Sequence, residues 1–167
     1  MAHNLLGLLK VKIVRGIDLV VRDVNSSDPY VVLKLESNKL KTRVVKSSVN
    51  PEWNEDLTLS VSDPTKPLMI HVYDKDTFSA DDPMGDAEVD IEPFMESVKM
   101  KYEFVTEGAI IQKLTPSRKN CFAEESTIRW INGKLEQDMI LRLRNVESGE
   151  LELKLTWTDL SKCQSLE

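Results

Sequence analysis

Apolar and polar residues alternate through much of the chain, and this alternation predicts a protein built mainly from short β-strands. In residues 9–15 apolar side chains stand at every second position, which is typical of a strand with one buried face. Turn residues such as Asn50, Pro51 and Gly149 separate the alternating runs. The eight predicted strands are 5–15, 29–36, 39–47, 53–61, 67–74, 84–91, 138–145 and 149–158. Because no helices alternate with these strands, the pattern favours an all-β, eight-stranded antiparallel sandwich.

The connection between the sixth and seventh strands, residues 92–137, is too long for a simple turn. Pro93 suits the first turn of a helix, whose apolar residues would face the core. Those apolar residues are Phe94, Met95 and Val98. Two extra short strands are predicted at 106–111 and 126–131, the second ending at an Asn-Gly turn. A connection of this length usually carries function or structure of its own, and we expect both here.

The excess of acidic over basic residues is concentrated in two predicted loops. The 167 residues include 22 Lys and Arg against 28 Asp and Glu, a formal net charge of -6, which argues against nucleic-acid binding. Six aspartates lie after the first and fifth predicted strands: Asp23, Asp28, Asp74, Asp76, Asp81 and Asp82. Once these six are set aside, acidic and basic residues balance. The acid excess therefore has a location in the fold.

Carboxylates gathered at one end of a β scaffold repel one another unless a cation binds them. Oxygen ligands of this kind suit Ca²⁺, which takes six to eight of them. The alternative is that Asp28 and Asp82, each followed by proline, only begin turns. An EF-hand loop starting at Asp74 is excluded, because its sixth position is Ser79 rather than glycine and its twelfth is Gly85 rather than glutamate. A cation would have to be held between loops.

Three stretches resemble the motifs of a C2 domain and occur in the expected order within residues 5–91. They are Ser27-Asp28-Pro29-Tyr30-Val31, Asn50-Pro51-Glu52-Trp53-Asn54 and Val72-Tyr73-Asp74-Lys75-Asp76. The resemblance implies a calcium site at one end of the sandwich. Its implied carboxylate ligands are Asp23, Asp28, Asp74, Asp76 and Asp82, completed by the backbone carbonyls of Arg22 and Lys75. The order of the strands resembles the type II, circularly permuted arrangement, in which the last strand fills the place of a missing first one.

Residues 113–126 and 133–144 point to one family among C2-domain proteins, since they are similar to the plant C2-domain abscisic-acid-related family. That family includes a small GTPase-activating protein from rice. The resemblance implies a single C2 domain over residues 1–167, with 92–137 as a family-specific insertion. It also implies calcium-dependent binding to anionic phospholipid and recruitment of abscisic-acid receptors to the plasma membrane, or activation of a GTPase. The expected location is peripheral on the plasma membrane, with cytoplasmic and nuclear pools.

A second candidate surface is basic. Lys34, Lys39, Lys41, Arg43 and Lys46 lie on the second and third predicted strands and in the turn between them. They form either a solvated strand face or a site for anionic lipid head groups, where each charge is worth roughly 1 kcal/mol.

Two aromatic residues leave their roles open. Phe78 lies near the tip of the second acidic loop, where it inserts into a membrane or packs inward. Trp53 stacks at the basic site or fills the core.

No catalytic motif is present, and the chain is expected not to be an enzyme itself. His71 is expected to be an ordinary strand residue, and Cys121 and Cys163 do not form a disulfide framework. Three functional interpretations remain open: a calcium-dependent lipid-binding adaptor, a regulator of GTPase turnover, and a protein-interaction domain whose acidic loops only stabilise the fold.

Overall fold

Ten strands and one helix are found in the computed structural model, which describes residues 4–160. The strands are β1 (Gly7–Ile17), β2 (Pro29–Leu35), β3 (Asn38–Lys41), β4 (Glu52–Val61), β5 (Leu68–Asp74), β6 (Asp82–Val89), β7 (Ile110–Leu114), β8 (Ser126–Ile131), β9 (Lys134–Arg142) and β10 (Glu150–Asp159). The helix, α1, spans Glu92–Lys99. The eight predicted strands correspond to β1–β6, β9 and β10, and the all-β antiparallel sandwich is confirmed.

Two antiparallel sheets face each other across the core. One has the order β4-β1-β10-β9-β8-β7 and the other the order β3-β2-β5-β6. The alternation seen in the sequence becomes alternation of burial, so that Leu9, Ile13, Leu33, Ile70 and Leu153 are fully buried. The last strand lies between β1 and β9, as the type II arrangement requires.

Helix α1 forms where the sequence predicts it. Pro93 lies in its first turn, and Phe94 and Met95 are buried. Val98 packs against the same core while remaining partly exposed. The helix therefore caps part of the core that strands do not cover.

The predicted third strand, 39–47, is too long. β3 ends at Lys41 because Thr42 turns inward and is buried. Its backbone N–H donates to the Val31 carbonyl at 2.9 Å, while its hydroxyl accepts from the Val31 N–H at 2.9 Å. Residues beyond Thr42 leave the sheet.

Two other strand bounds were also wrong. The seventh predicted strand, 138–145, begins earlier as β9, because pairing with β8 starts directly after Gly133 in the turn. The predicted strand 106–111 is found as β7 at Ile110–Leu114 instead. Glu107 lies in a turn, where its carboxylate accepts the Asn132 N–H at 2.8 Å. The first difference comes from a local hairpin, and the second from a hydrogen bond between residues distant in sequence.

Asp86 on β6 links the four-stranded sheet to the segment that follows β9. Its carboxylate accepts hydrogen bonds from Arg144 Nη2 at 2.7 Å and from Asn145 Nδ2 at 2.7 Å. The backbones of Asp86 and Arg144 also form an isolated β-bridge. Partial burial raises the pKa of Asp86, but the hydrogen bonds from Asn145 and Arg144 outweigh it and hold this pKa below its ordinary value.

Because the pKa of Asp86 is lower in the folded protein, its carboxylate stabilises the fold above the unfolded pKa of about 3.9, and this stabilisation is lost as the pH falls through the folded pKa. We expect Asp86→Asn to cost about 1–2 kcal/mol of unfolding free energy at pH 7. The difference from the wild type should shrink towards zero in acid. Urea unfolding across pH measures this, with Asp56→Asn on β4 as the exposed control. A cost that does not change with pH would contradict the role given to the charge.

Candidate metal centre and basic groove

Three aspartates, two from the β1–β2 loop and one from the end of β5, meet at one end of the sandwich. Asp74 closes β5, between Pro29 of β2 and Asp82 of β6. One carboxylate oxygen from each of Asp23, Asp28 and Asp74 lies within 4.8 Å of the other two. Asp74 is only 2% exposed, whereas Asp23 is open to solvent. We call these three residues the aspartate cluster.

Hydrogen bonds tie three loops together around the aspartate cluster. The Asp28 N–H donates to Asp74 Oδ1 at 2.7 Å, which joins the β1–β2 loop to the end of β5. Asp28 Oδ1 accepts the Ser47 N–H at 2.7 Å, which brings in the β3–β4 loop. The Lys75 N–H donates to the Asp28 carbonyl at 3.0 Å. Backbone N–H groups therefore hold two of the three carboxylates of the cluster, those of Asp28 and Asp74.

The electrostatics of the cluster favour a bound cation. Burial, supported by the charges of Asp23, Asp28 and Asp82, raises the pKa of Asp74. The charged form of the Asp74 carboxylate is therefore unfavourable in the folded protein, and a bound cation would relieve this. Oxygens that share a Ca²⁺ ion at 2.3–2.6 Å lie no more than about 5 Å apart, so the spacing of the aspartate cluster fits this ion.

The other predicted ligands surround the cluster but do not join it. The Asp76 carboxylate accepts the Phe78 N–H at 3.0 Å and the Ser79 hydroxyl at 2.8 Å, so it is held inside its own loop. The Phe78 hydrogen bond is the main reason why the pKa of Asp76 is lowered. Asp82 begins β6 opposite Asp74.

The two residues whose carbonyls are predicted ligands, Arg22 and Lys75, have their side chains engaged elsewhere. Arg22 Nε donates to the Pro83 carbonyl at 3.1 Å, and Lys75 Nζ lies 3.9 Å from Asp81 Oδ2. Asp81 turns away from the cluster, since it accepts hydrogen bonds from the Tyr30 hydroxyl and from the Asp76 N–H. Of the five predicted carboxylate ligands, Asp23, Asp28 and Asp74 are gathered in one group, and Asp76 and Asp82 lie outside it.

Two apolar side chains project from the loops that carry the aspartates. Phe78 in the β5–β6 loop is 96% exposed, and Val24 in the β1–β2 loop is 94% exposed. Neither packs inward, and membrane insertion of Phe78 stays a prediction. Exposed apolar tips beside a candidate cation site are suited to contact with a lipid surface.

Three of the predicted basic residues line one groove on the outer face of the four-stranded sheet. Lys34 pairs across the strands with Lys39, and Val32 pairs with Lys41. The groove has a volume of about 400 Å³ and is lined by Tyr30, Val32, Lys34, Lys39, Leu40, Lys41 and Tyr73. We call it the basic groove. Like charges at this density favour a multivalent anion.

The structure places the other two basic residues outside the basic groove. Arg43 follows the inward turn at Thr42, and its guanidinium donates to the Glu52 carbonyl at 3.3 Å. Lys46 is exposed in the β3–β4 loop and does not line the groove. Trp53 is fully buried and donates its indole N–H to the Arg43 carbonyl at 3.0 Å, so it fills the core.

Sequence reasoning missed the two tyrosines of the basic groove. Tyr30 and Tyr73 are cross-strand partners with stacked rings 5.7 Å apart. His71 continues the stack at 6.3 Å from Tyr73, as an ordinary strand residue. Burial first, and the hydrogen bond to Asp81 second, raise the pKa of Tyr30 to about 12. The alternation of residues 30, 32 and 34 was the available signal that Tyr30 shares a face with Lys34.

The thiol of Cys121 is buried and free, and Cys163 lies outside the described residues. No helix among residues 4–160 is long and apolar enough to cross a membrane.

The two facing antiparallel sheets, with loops converging on an aspartate cluster at one end, define the class of protein. A family model described as C2 domain matches residues 7–105, and the chain belongs to this family. Within it, protein C2-DOMAIN ABA-RELATED 3 of Arabidopsis thaliana is 56% identical over 163 residues, which cover 98% of this chain and 97% of that protein. GTPase activating protein 1 of Oryza sativa subsp. indica is 56% identical over 160 residues, covering 96% of each chain.

Solved structures support the fold at lower identity. The plant extended synaptotagmin 1 C2A domain matches 93% of this chain and 97% of its own, with a TM-score of 0.63 and 23% identity. A calcium-bound structure of the extended synaptotagmin 2 C2A and C2B domains matches 99% of this chain, with a TM-score of 0.66 and 21% identity. This chain covers 52% of that structure, which contains two C2 domains.

Proposed function

We propose that this protein is a calcium-dependent phospholipid-binding adaptor that brings abscisic-acid receptors to the plasma membrane. The observation that carries the proposal is the aspartate cluster, with Phe78 and Val24 exposed on its loops and the basic groove nearby. The names of the C2-domain ABA-related relatives support the link to abscisic acid. The binding sites on such an adaptor have separate roles.

The aspartate cluster is the core of the calcium site, which Asp76 and Asp82 join with the carbonyls of Arg22 and Lys75. When bound there, Ca²⁺ supplies positive charge and open positions for lipid phosphate oxygens. The aspartates alone repel an anionic surface, so lipid binding depends on their neutralisation. Phe78 and Val24 then enter the interface, and Lys34, Lys39 and Lys41 attract acidic head groups.

Residues 92–137 are proposed to carry partner specificity, as an insertion within a C2 domain that extends over residues 1–167. A second candidate function is activation of a GTPase, which is supported by the name of the rice relative, GTPase activating protein 1. In that case the protein supplies groups to a partner's active site and is not itself the hydrolase. In both cases it is peripheral on the plasma membrane, with cytoplasmic and nuclear pools.

Vesicle sedimentation tests the proposal. The protein should sediment with phosphatidylserine vesicles in Ca²⁺ and remain in solution in EGTA, because the uncompensated aspartates repel the surface. Neutral phosphatidylcholine vesicles are the control. An abscisic-acid receptor added to the same mixture should sediment only when this protein does. Equal sedimentation in Ca²⁺ and EGTA would contradict the calcium step. The second candidate function is tested by single-turnover GTP hydrolysis, which this protein should accelerate when it is added to a candidate GTPase.

A further inference from the structure

A second groove lies at the end of the sandwich opposite the aspartate cluster. It has a volume of about 800 Å³, and its lining comes from three segments: 98–103, 130–135 and 157–159. β10 spans Glu150–Asp159, and Glu150 pairs with Ile17 just before the first acidic loop. At about 3.3 Å per residue, the far end of this strand is roughly 30 Å from the acidic loops. We call this cavity the distal groove.

Within residues 4–160, the floor of the distal groove is a part of the core-facing side of the large sheet that the four-stranded sheet does not cover. Trp157 continues the core-facing row of β10, and Trp130 pairs with the buried Leu135 across β8 and β9. None of the lining residues comes from the four-stranded sheet. Tyr102, from the segment after α1, lies over part of it, with its ring 5.2 Å from that of Trp130. The half-buried side chains of Trp130 and Trp157 therefore remain within reach of a ligand, and Leu135, although largely buried, also lines the groove.

The walls of the distal groove are held in place. The Tyr102 hydroxyl donates to the Ser97 carbonyl at 2.6 Å, which anchors the segment after α1 to the helix. On the other side, a Cβ at Gly7 would lie 2.4 Å from Trp157 Cζ2, so only glycine lets this indole lie against β1. Because these aromatic side chains are already held in place, binding a ligand would cost little side-chain conformational entropy.

The rim of the distal groove is apolar and positively charged. Met100 is 60% exposed, and Phe104 beside the groove is fully exposed. Among residues 4–160, no ion pair engages Lys99, Lys101 or Lys134, whereas Asp159 already has an interaction partner. Glu103 is the remaining acid of the lining. Unpaired positive charge thus exceeds negative charge around an aromatic floor.

We infer that the distal groove docks a segment of a partner protein in which acidic side chains flank an aromatic or aliphatic anchor. The anchor packs between Trp130, Trp157 and Leu135, and the acids meet Lys99, Lys101 and Lys134. A membrane is not the occupant, because the groove faces away from any surface that the acidic loops touch. The inference rests on the proposed adaptor function, since it lets lipid and partner bind at opposite ends at the same time.

Random-peptide phage display on the intact protein tests the inference. We expect enrichment of sequences that carry Asp or Glu around Phe, Leu or Trp. The double variant Lys99→Glu with Lys134→Glu should weaken binding of an enriched synthetic peptide about tenfold, which corresponds to about 1.4 kcal/mol for two reversed rim charges. Because Trp53 is buried, a change in intrinsic fluorescence on peptide binding would report Trp130 and Trp157.

A matched variant separates this inference from the proposed function. Lys34→Glu with Lys39→Glu in the basic groove should keep peptide binding and lose vesicle binding, while the Lys99 and Lys134 variant should do the reverse. The inference would be overturned if the wild type enriched no acidic peptides beyond those that the Lys99 and Lys134 variant enriches. It would also be overturned if the wild type enriched basic peptides. Self-association of the wild type that the Lys99 and Lys134 variant abolishes would overturn it as well, since the occupant would then be a second copy. If the wild type bound the peptide but did not sediment with vesicles in Ca²⁺, only the adaptor function would be overturned.

Discussion

Replacing Asp28 and Asp74 together by asparagine is expected to abolish calcium-dependent sedimentation with phosphatidylserine vesicles. The two carboxylates belong to the aspartate cluster, and without them Asp23 alone supplies charge at its centre. Removing the anionic partners of a charge held away from water costs about 3 kcal/mol or more, on the order of a 100-fold loss of affinity. Sedimentation across a calcium titration measures this loss directly.

The same variant is expected to remain folded, which separates the loss of binding from a loss of structure. Asparagine Oδ1 can still accept the N–H groups of Asp28 and Ser47, which hold the loops together. Burial raises the pKa of Asp74, so its charge is unfavourable in the fold without a cation, and a neutral side chain removes that cost. In EGTA the variant should therefore melt at or above the wild-type temperature.

Calcium should stabilise the wild type but not this variant. At a concentration 100 times the Kd, a ligand that binds only the folded state adds about 2.7 kcal/mol, which a melting curve detects. Asp56→Asn on β4 is the control, because it removes an exposed carboxylate outside the acidic loops. If Ca²⁺ raised the melting temperature of the Asp28 and Asp74 variant as it does for the wild type, the ion would have to bind elsewhere.

The sequence pattern predicted the strands well wherever burial alone decides them. Alternation predicted the strands that have a buried face, and Pro93 with the apolar residues after it predicted the helix with Phe94 and Met95 inward. The errors occur where hydrogen bonds between residues distant in sequence decide the outcome. Thr42 ends β3 by bonding to Val31, and Glu107 accepts the Asn132 N–H instead of extending a strand. Such contacts leave no period in the sequence.

The sites divide in the same way. The aspartate cluster could be predicted because its members follow strand ends that meet at one edge, and because their motifs resemble a known family. The basic groove was predicted in part, since Lys34 and Lys39 face each other while Arg43 follows a turn that the pattern did not reveal. The distal groove could not be predicted, because Tyr102, Trp130 and Trp157 meet only through the folding of the insertion against β10.

Replacing Lys34, Lys39 and Lys41 together by alanine is expected to weaken binding to anionic vesicles by about 3 kcal/mol at low salt, roughly 150-fold. These lysines line one groove, so they act on the same surface at the same time. The loss should be largest for phosphoinositide vesicles, because a multivalent head group meets all three charges. Flotation or sedimentation at increasing lipid concentration gives the partition coefficients.

A matched variant tests whether position, and not total charge, is responsible. Lys10, Lys66 and Lys119 are exposed and lie outside the basic groove, so changing all three to alanine removes the same charge. That control should lose much less affinity, because its charges do not converge on one face. Screening supplies a second criterion, since raising the salt should weaken the wild type more than the basic-groove variant. Equal losses in the two triple variants would mean that binding follows the net charge of the protein, and the basic groove would then have no special role.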